Sequence, residues 1–419
     1  MKILIVVASI LFCVLIYENL ATPQERIDHQ PEISYSIDDP QFLRSLGHLL
    51  GPPIVGGNKI QTFYNGDEIF PAMLSSIRSA KKSITFESYI YLSGEVAHQF
   101  VEALVERATA GVQVHVLIDW VGSQSIKDEY LKEMKAAKIE IEFYRPLRWF
   151  NLSRMNHRTH RKILVIDGQV GFTGGVGISN DWTGNGQDPE KWRDTQFMIE
   201  GPAVLYLQSA FMDNWHKVRP EVHHDSYYFP DVPNKGSTFA QVFISSPTEG
   251  NGSMRLMYLM VLAAAKKNIR LSMAYFVPDE LAIKELIRAR QRGVTIEIIV
   301  PGPFTDSHIV SQSSKSLWGD LLKSGVKIYR YQVAKYHCKV LVADDIFVSV
   351  GSTNFDDRSF RLNDEANLNI FDPVFAAHEV ATFEKDKTFS KLYTLENWEN
   401  RPFAEKALDQ ISTMFRSQL

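Results

Sequence analysis

Two short stretches of the chain carry residue types that could do chemistry at phosphorus. His160-Arg161-Lys162 is followed by Asp167, and His337-Cys338-Lys339 by Asp344, so both read H-x-K-x4-D, with a glycine seven residues after each Asp (Gly174, Gly351). One such pattern arises by chance, but two at equivalent places in an internal repeat do not. A cleft with two imidazoles and two ammonium groups suits a phosphodiester, because the lysines offset the charge that develops on the equatorial oxygens. One imidazole can attack phosphorus while the other protonates the leaving oxygen, then takes a proton from the incoming alcohol or water. Each His needs an acceptor on its second nitrogen. Asp194 is expected to orient His160, and Glu365 to orient His337; Gly351, Ser352 and Asn354 would approach the phosphate. Side chains alternate along a strand, so Asp167 and Asp344 have the opposite parity to the His-Lys pairs. They stay in the candidate catalytic set as motif members, with a bracing role at the strand end expected of them.

The elements that must position these residues are legible as a repeat. SAKKSITFESYIYL from Ser79 resembles AAKKNIRLSMAYFV from Ala264, and ERATAGVQVHVLID from Glu106 resembles ARQRGVTIEIIVPG from Ala289. Each copy alternates strands with amphipathic helices, the pattern of parallel α/β layers. The expected fold class is therefore α/β, two similar halves with the site at their interface, in preference to one continuous sheet. The boundaries read as 1–21 for an apolar segment, 22–58 for a linker with an entry helix near Phe42 to Leu50, 59–235 for the first half and 236–419 for the second.

The 419 residues are 45% hydrophobic and 22% charged, which is ordinary globular usage and excludes disorder. A net charge of -4 argues against a dedicated nucleic-acid coat. Two cysteines, Cys13 and Cys338, allow neither a disulfide framework nor a zinc-thiolate cluster. Ile3 to Tyr17 is fifteen residues without a charge, followed by no small-x-small cleavage site, and reads as an uncleaved membrane anchor in preference to a cleaved signal. Lys2 before it predicts a cytoplasmic N-terminus and an outward-facing catalytic part. The Arg145 to Arg154 stretch interleaves arginines with Trp149, Phe150 and Leu152, which suits a lipid headgroup interface or stacking on single-stranded nucleic acid.

Other features read as structure. His223-His224-Asp225 looks metal-like but, without further ligands at binding spacing, reads as a solvated loop. Gly250 to Met254 lacks the lysine of a phosphate-cradling loop and reads as the start of a helix running to Ala265. Tyr89, Tyr91, Tyr275 and Phe276 read as core or seam packing, with the alternative that one tyrosine lines the groove.

The paired motifs, with GSTNFDDRS from Gly351 and NHRTHRKILVIDG from Asn156, resemble the phospholipase D superfamily and its bacterial cardiolipin synthase branch over roughly residues 55 to 400. The resemblance implies two α/β halves, a covalent phosphohistidine with the first-copy His160 as nucleophile and His337 as general acid, and neither metal nor cofactor. It also implies transfer of a phosphatidyl group between phosphatidylglycerol molecules with release of glycerol; the expected anchor places that chemistry at a bilayer, and no nucleic-acid partner is expected. The superfamily's lipid hydrolases, nucleases and tyrosyl-DNA phosphodiesterases share the chemistry at phosphorus, so the alternatives are a phospholipase D and, behind it, a nucleic-acid phosphodiesterase. One departure stands out: Gly177 occupies the place that Asn354 has in the second copy.

Overall fold

The computed structural model describes residues 29–147, 156–246 and 253–403, with positions 9, 10, 12–14, 27, 405, 406 and 409. The first copy of the repeat supplies β1 (Val55–Tyr64), β2 (Ser83–Ser88), β3 (Gln113–Asp119), β4 (Glu140–Tyr144), β5 (Ile163–Ile166), β6 (Val170–Gly174), β7 (Trp192–Arg193) and β8 (Thr195–Glu200). From the second come β9 (Thr238–Ser245), β10 (Asn268–Met273), β11 (Phe276–Val277), β12 (Thr295–Pro301), β13 (Lys327–Tyr331), β14 (Lys335–Tyr336), β15 (Lys339–Ala343), β16 (Phe347–Gly351), β17 (Phe355–Asp356), β18 (Glu365–Phe371) and β19 (Ser390–Tyr393).

Fifteen of these strands form one continuous sheet, in the order β19-β13-β12-β10-β15-β16-β18-β9-β1-β8-β6-β5-β2-β3-β4. This corrects the expectation of two halves in preference to a continuous sheet. The join is β1 against β9, held through Val55↔Ala240 and Asn58↔Thr238 with a bulge between them. Repeat matching shows which strands exist in each copy; it does not show which edge of one copy satisfies the backbone groups at the edge of the other. β1 also starts at Val55, inside the stretch read as linker. The helix Pro40–Leu49 lies where an entry helix was expected, capped by the Asp39 side chain, and its Phe42 packs against Phe347 and Phe371 of the second copy.

Burial follows the strand period. In β5, Leu164 and Ile166 join a core with helices Asn65–Ser79 and Glu95–Thr109, while Ile163 and Val165 face the other way. In β15, Leu341 and Ala343 enter the second copy's own core, and Val340 and Val342 turn toward Ile163 and Val165. Both strands are therefore buried on both faces and read as unbroken apolar runs. The core containing Ile163, Val165, Val340 and Val342 is built by both copies and also holds Phe211 and Trp215 of the helix Val204–Trp215. Full burial of each such side chain contributes about 1.5–3 kcal/mol, so the seam is a hydrophobic core in its own right. Of the apolar run near the N-terminus only positions 9, 10 and 12–14 are described, and they are helical. The anchor as a whole lies outside the described residues; among those described, no helix is long and apolar enough to cross a membrane.

Candidate active site

Each motif enters its strand along the other copy of the repeat. Thr159 bridges Asp364 in parallel, with His160 N–H donating to Asp364 O at 2.8 Å and Asp364 N–H to Arg158 O at 2.9 Å. Symmetrically, β14 lies parallel to β7 (Lys335↔Trp192, Tyr336↔Arg193), and His337 N–H donates to Arg193 O at 2.8 Å. Each His is thus fixed at its backbone to the residue just before the other copy's carboxylate.

The side chains follow the backbone. His160 Nδ1 lies 3.0 Å from both carboxylate oxygens of Glu365, and His337 Nδ1 lies 2.7 Å from Asp194 Oδ2. The expected pairing of His160 with Asp194 and His337 with Glu365 is therefore reversed. Nearness in the repeat suggested partners within one copy, but the lead-in segments cross the seam and carry each imidazole to the opposite carboxylate. Asp194 and Glu365 are fully buried, whereas His160 and His337 keep 9% and 7% of their surface, so a substrate reaches only an imidazole edge. With Nδ1 held by a carboxylate, Nε2 is the nitrogen left for chemistry.

Lys162 Nζ bonds the carbonyl of His160 at 2.6 Å and lies over the Tyr89 ring at 5.3 Å. Lys339 Nζ bonds the carbonyl of His337 at 2.8 Å and sits 3.2 Å from both nitrogens of that ring. Burial, with Lys339 adding repulsion, pushes the Lys162 ammonium down to about 7 against the attraction of Glu365. Burial also lowers Lys339, in spite of Asp194. His160 is held at about 4, by burial first and then by both lysines, and His337 is lowered by burial and Lys339. Burial raises Glu365, but the charge and hydrogen bond of His160, with Lys162 and the Ser352 hydroxyl, bring it down to about 2. Asp194 is lowered against its burial by His337, Lys339 and the Trp182 indole. The free site therefore holds two neutral imidazoles, two ionised carboxylates and two lysines whose charged form burial disfavours, so an arriving anionic phosphate would favour that charged form.

The carboxylates are supported differently. Ser352 Oγ donates to Glu365 Oε2 at 2.5 Å, and its N–H donates to Ala366 O. Asp194 Oδ2 accepts from Trp182 Nε1 at 2.9 Å, while Oδ1 accepts from Thr195 N–H at 2.8 Å. Ser352 is thus committed to Glu365 and does not offer the phosphate a hydroxyl. Gly351 is needed for a close crossing, since a Cβ there would lie 2.3 Å from Ala366 O. Of the three residues expected at the phosphate, Asn354 alone keeps a side-chain oxygen, Oδ1, that is buried without a hydrogen-bond partner. Gly177 now has a reason: a Cβ there would lie 2.9 Å from Ile90 Cβ and 3.2 Å from the Trp182 ring.

Asp167 and Asp344 stand at the far ends of β5 and β15, away from the imidazoles. Asp167 accepts the N–H groups of Lys81, Lys82 and Ser83, and Asp344 those of Lys266, Lys267 and Asn268. Both have positive φ (53° and 54°). Their inclusion among catalytic residues is corrected: they brace the turn, in keeping with their parity.

Several residues at the site were not foreseen in this role. Trp182 and Trp192 stack at 5.1 Å and present their edges to the His337 ring, at 5.5 and 4.6 Å. Tyr89, read mainly as packing, lies 5.2 Å from the His160 ring, while Tyr91 is fully buried as expected. Tyr275 bonds Asp306. The Trp-Arg-Asp run around Asp194 was the available signal for Trp192. Trp149, Phe150 and Leu152 lie outside the described residues, as do Gly250 to Gly252, but the helix expected there is present as Ser253–Ala264. His224 and Asp225 are exposed, whereas His223 is half-buried with its ring 4.3 Å from that of His115.

The family described as "Cardiolipin synthase, PLD-like domain" matches residues 73–211 and 258–387. The chain is 34% identical over 363 residues to the major cardiolipin synthase of Bacillus subtilis (strain 168), covering 85% of this chain and 74% of that one. It is 35% identical over 362 residues to cardiolipin synthase 1 of Staphylococcus aureus (strain COL), covering 85% and 73%. Among solved structures, phosphatidylserine synthase of Haemophilus influenzae Rd KW20 superimposes with a TM-score of 0.69 over 90% of this chain and all of that one, at 15% identity, a likeness of fold.

Proposed function

The chain belongs to the phospholipase D-like cardiolipin synthase family and is a phosphatidyltransferase of that superfamily, and from that premise we propose that it moves a phosphatidyl group from one phosphatidylglycerol to another through a phosphohistidine. The observation that carries the reading is the crossed pair of buried imidazole–carboxylate hydrogen bonds, His160 with Glu365 and His337 with Asp194, flanked by Lys162 and Lys339. His160, neutral and held through Nδ1, directs the Nε2 lone pair at phosphorus; a P–N bond forms as the P–O bond to the departing glycerol breaks. His337, which takes up a proton on Nε2 as the anionic phosphate binds and is then an imidazolium held through Nδ1–H by Asp194, gives that proton to the departing oxygen and, neutral again, takes one from the incoming hydroxyl, which attacks phosphorus and frees His160. Lys162 and Lys339 take the charge on the equatorial oxygens, and the Asn354 amide, through its Nδ2 N–H, is the remaining side-chain donor for the phosphate. On this reading 59–235 and 236–419 are the two halves that meet at the site.

We propose further that the protein works at a bilayer, tethered by residues 1–21 with the catalytic part on the non-cytoplasmic side. Deleting those residues should shift the protein to the soluble fraction with its melting temperature retained; full membrane retention would contradict the tether.

Lipid mass spectrometry after incubating the purified protein with phosphatidylglycerol vesicles tests the reaction. Cardiolipin with glycerol is expected; phosphatidic acid alone would make the protein a phospholipase D.

A further inference from the structure

Away from the imidazole pair, three side chains remote in sequence converge on the opposite end of β3. One ligand-type atom from each of His115, Glu140 and His223 lies within 4.8 Å of the others. His115 comes from β3, Glu140 opens β4, and the two are register partners in the parallel pair. His223 comes from the irregular connection between the helix Val204–Trp215 and β9. His115 Nδ1 lies 2.9 Å from Glu140 Oε2, and its Nε2 lies 2.6 Å from the Tyr228 hydroxyl. Without a metal, the contact with Glu140 places the proton on Nδ1, with the Tyr228 hydroxyl donating to Nε2; a metal at Nδ1 would shift the proton to Nε2, which then donates to Tyr228 as the second nitrogen of a metal-ligating histidine does. His223 Nε2 is buried without a hydrogen-bond partner.

We propose that His115, Glu140 and His223 form a binding site for a zinc-class divalent cation, which clamps the connection between the two copies onto β3 and β4. Two imidazoles and a carboxylate are borderline ligands of the kind that select zinc and its neighbours over magnesium or calcium. Ligands about 2.0–2.2 Å from a tetrahedral ion lie about 3.3–3.6 Å from one another, so the present spread closes by small side-chain shifts and leaves a fourth position for water. Arg219 pairs with Glu140, Glu142 and Glu221 at 3.5, 3.6 and 2.9 Å, so a metal competes with its guanidinium for Glu140 Oε2, while the carboxylates of Glu142, Glu221 and Asp225 keep the surroundings net negative. Trp215 walls the inner side, its ring 5.2 Å from that of His115.

The site is separate from the candidate chemistry. Asp119, at the other end of β3, bonds Arg158 and the N–H of Thr159 beside His160. Four strand steps separate it from His115, about 13 Å. The role is therefore one of holding structure, and metal removal should loosen the connection while leaving phosphatidyl transfer unchanged.

Cobalt is the probe. Full-length protein, with any affinity tag removed, is stripped with chelator and titrated with Co²⁺ followed by visible absorption. We expect the strong bands of four-coordinate cobalt to saturate near one equivalent per chain and to be displaced by zinc. His223→Ala and Glu140→Gln, both at partly exposed positions, should weaken uptake by about a hundredfold, and Tyr228→Phe by about tenfold. His224→Ala, at the exposed neighbour, should match the wild type. Zinc should raise the melting temperature by about 2–5 °C over chelator. Absence of a saturable band, wild-type uptake by folded Glu140→Gln, or equal melting in zinc and chelator would each overturn the proposal.

Discussion

His160 and His337 occupy equivalent places in a repeat, yet their surroundings differ in kind. Around His160 the supports are small and polar: Glu365 accepts the imidazole with both oxygens and is itself held by the Ser352 hydroxyl, with Tyr89 the aromatic neighbour. Around His337 they are large and aromatic: Asp194 is held by an indole N–H, and the ring sits against the edges of Trp182 and Trp192. The shorter Asp on the tryptophan side gives its imidazole one contact where Glu365 gives two. A symmetric reaction needs equivalent histidines, whereas a double displacement needs one that bonds phosphorus and one that trades protons. The asymmetry is what such a division of labour requires.

The sharpest way to break the comparison is to remove each imidazole. His160→Ala and His337→Ala should each lower turnover by about four orders of magnitude or more, since either loss stops the same path. They should differ in what accumulates. With a phosphodiester whose leaving group needs no protonation, such as a nitrophenyl ester, and a rapid denaturing quench at alkaline pH, His337→Ala should still carry the phosphoryl group on the peptide containing His160, and His160→Ala should carry none. Label on the His337 peptide alone would exchange the roles.

The crossed pairing comes next. Glu365→Gln and Asp194→Asn should each cost about two to four orders of magnitude in kcat, because a neutral amide no longer fixes the tautomer. In proton NMR, the imidazole N–H signal assigned to His160 should vanish in Glu365→Gln and persist in Asp194→Asn. The opposite result would restore partners within one copy.

Weaker but more specific is the third layer. Trp182→Phe and Ser352→Ala each remove one donor from a buried carboxylate, an expected loss of about ten- to a hundredfold in kcat/KM. Their effects should multiply in the double variant, since they support different carboxylates; a double variant no worse than either single would show the two supports to be one unit.

The mildest change is a pH effect. With its pKa held at about 7 by burial, Lys162 is an ammonium below that pH and loses its charge above it, so KM for the lipid should rise as pH increases through 7. Lys162→Arg keeps its charge throughout and should flatten that rise. A wild-type KM that is level from pH 6 to 9 would mean Lys162 is charged across the range.

Much of this was legible in the residues. The duplicated H-x-K-x4-D motif gave both His-Lys pairs, and strand parity gave the bracing role of Asp167 and Asp344, because both depend on local spacing. The partner of each imidazole was not legible, since it depends on how the copies dock, and that is set by backbone bonds such as His160 to Asp364 between residues two hundred positions apart. The departure at Gly177 was not legible either, since its reason is the Trp182 ring and Ile90 packed where a Cβ would stand. His223 looked solvated because its neighbours His115 and Glu140 lie more than eighty positions earlier in the chain.

The bond from His160 to Glu365 spans 205 residues of sequence, and that distance sets a schedule. At about 5–20 residues per second, a growing chain exposes its first histidine about 10–40 s before the carboxylate that orients it has been made. Until then His160 has no fixed tautomer and no neighbouring acid. On the proposed mechanism each unfinished chain is therefore inert toward its substrate, and its chemistry begins only once the second copy has closed onto the first.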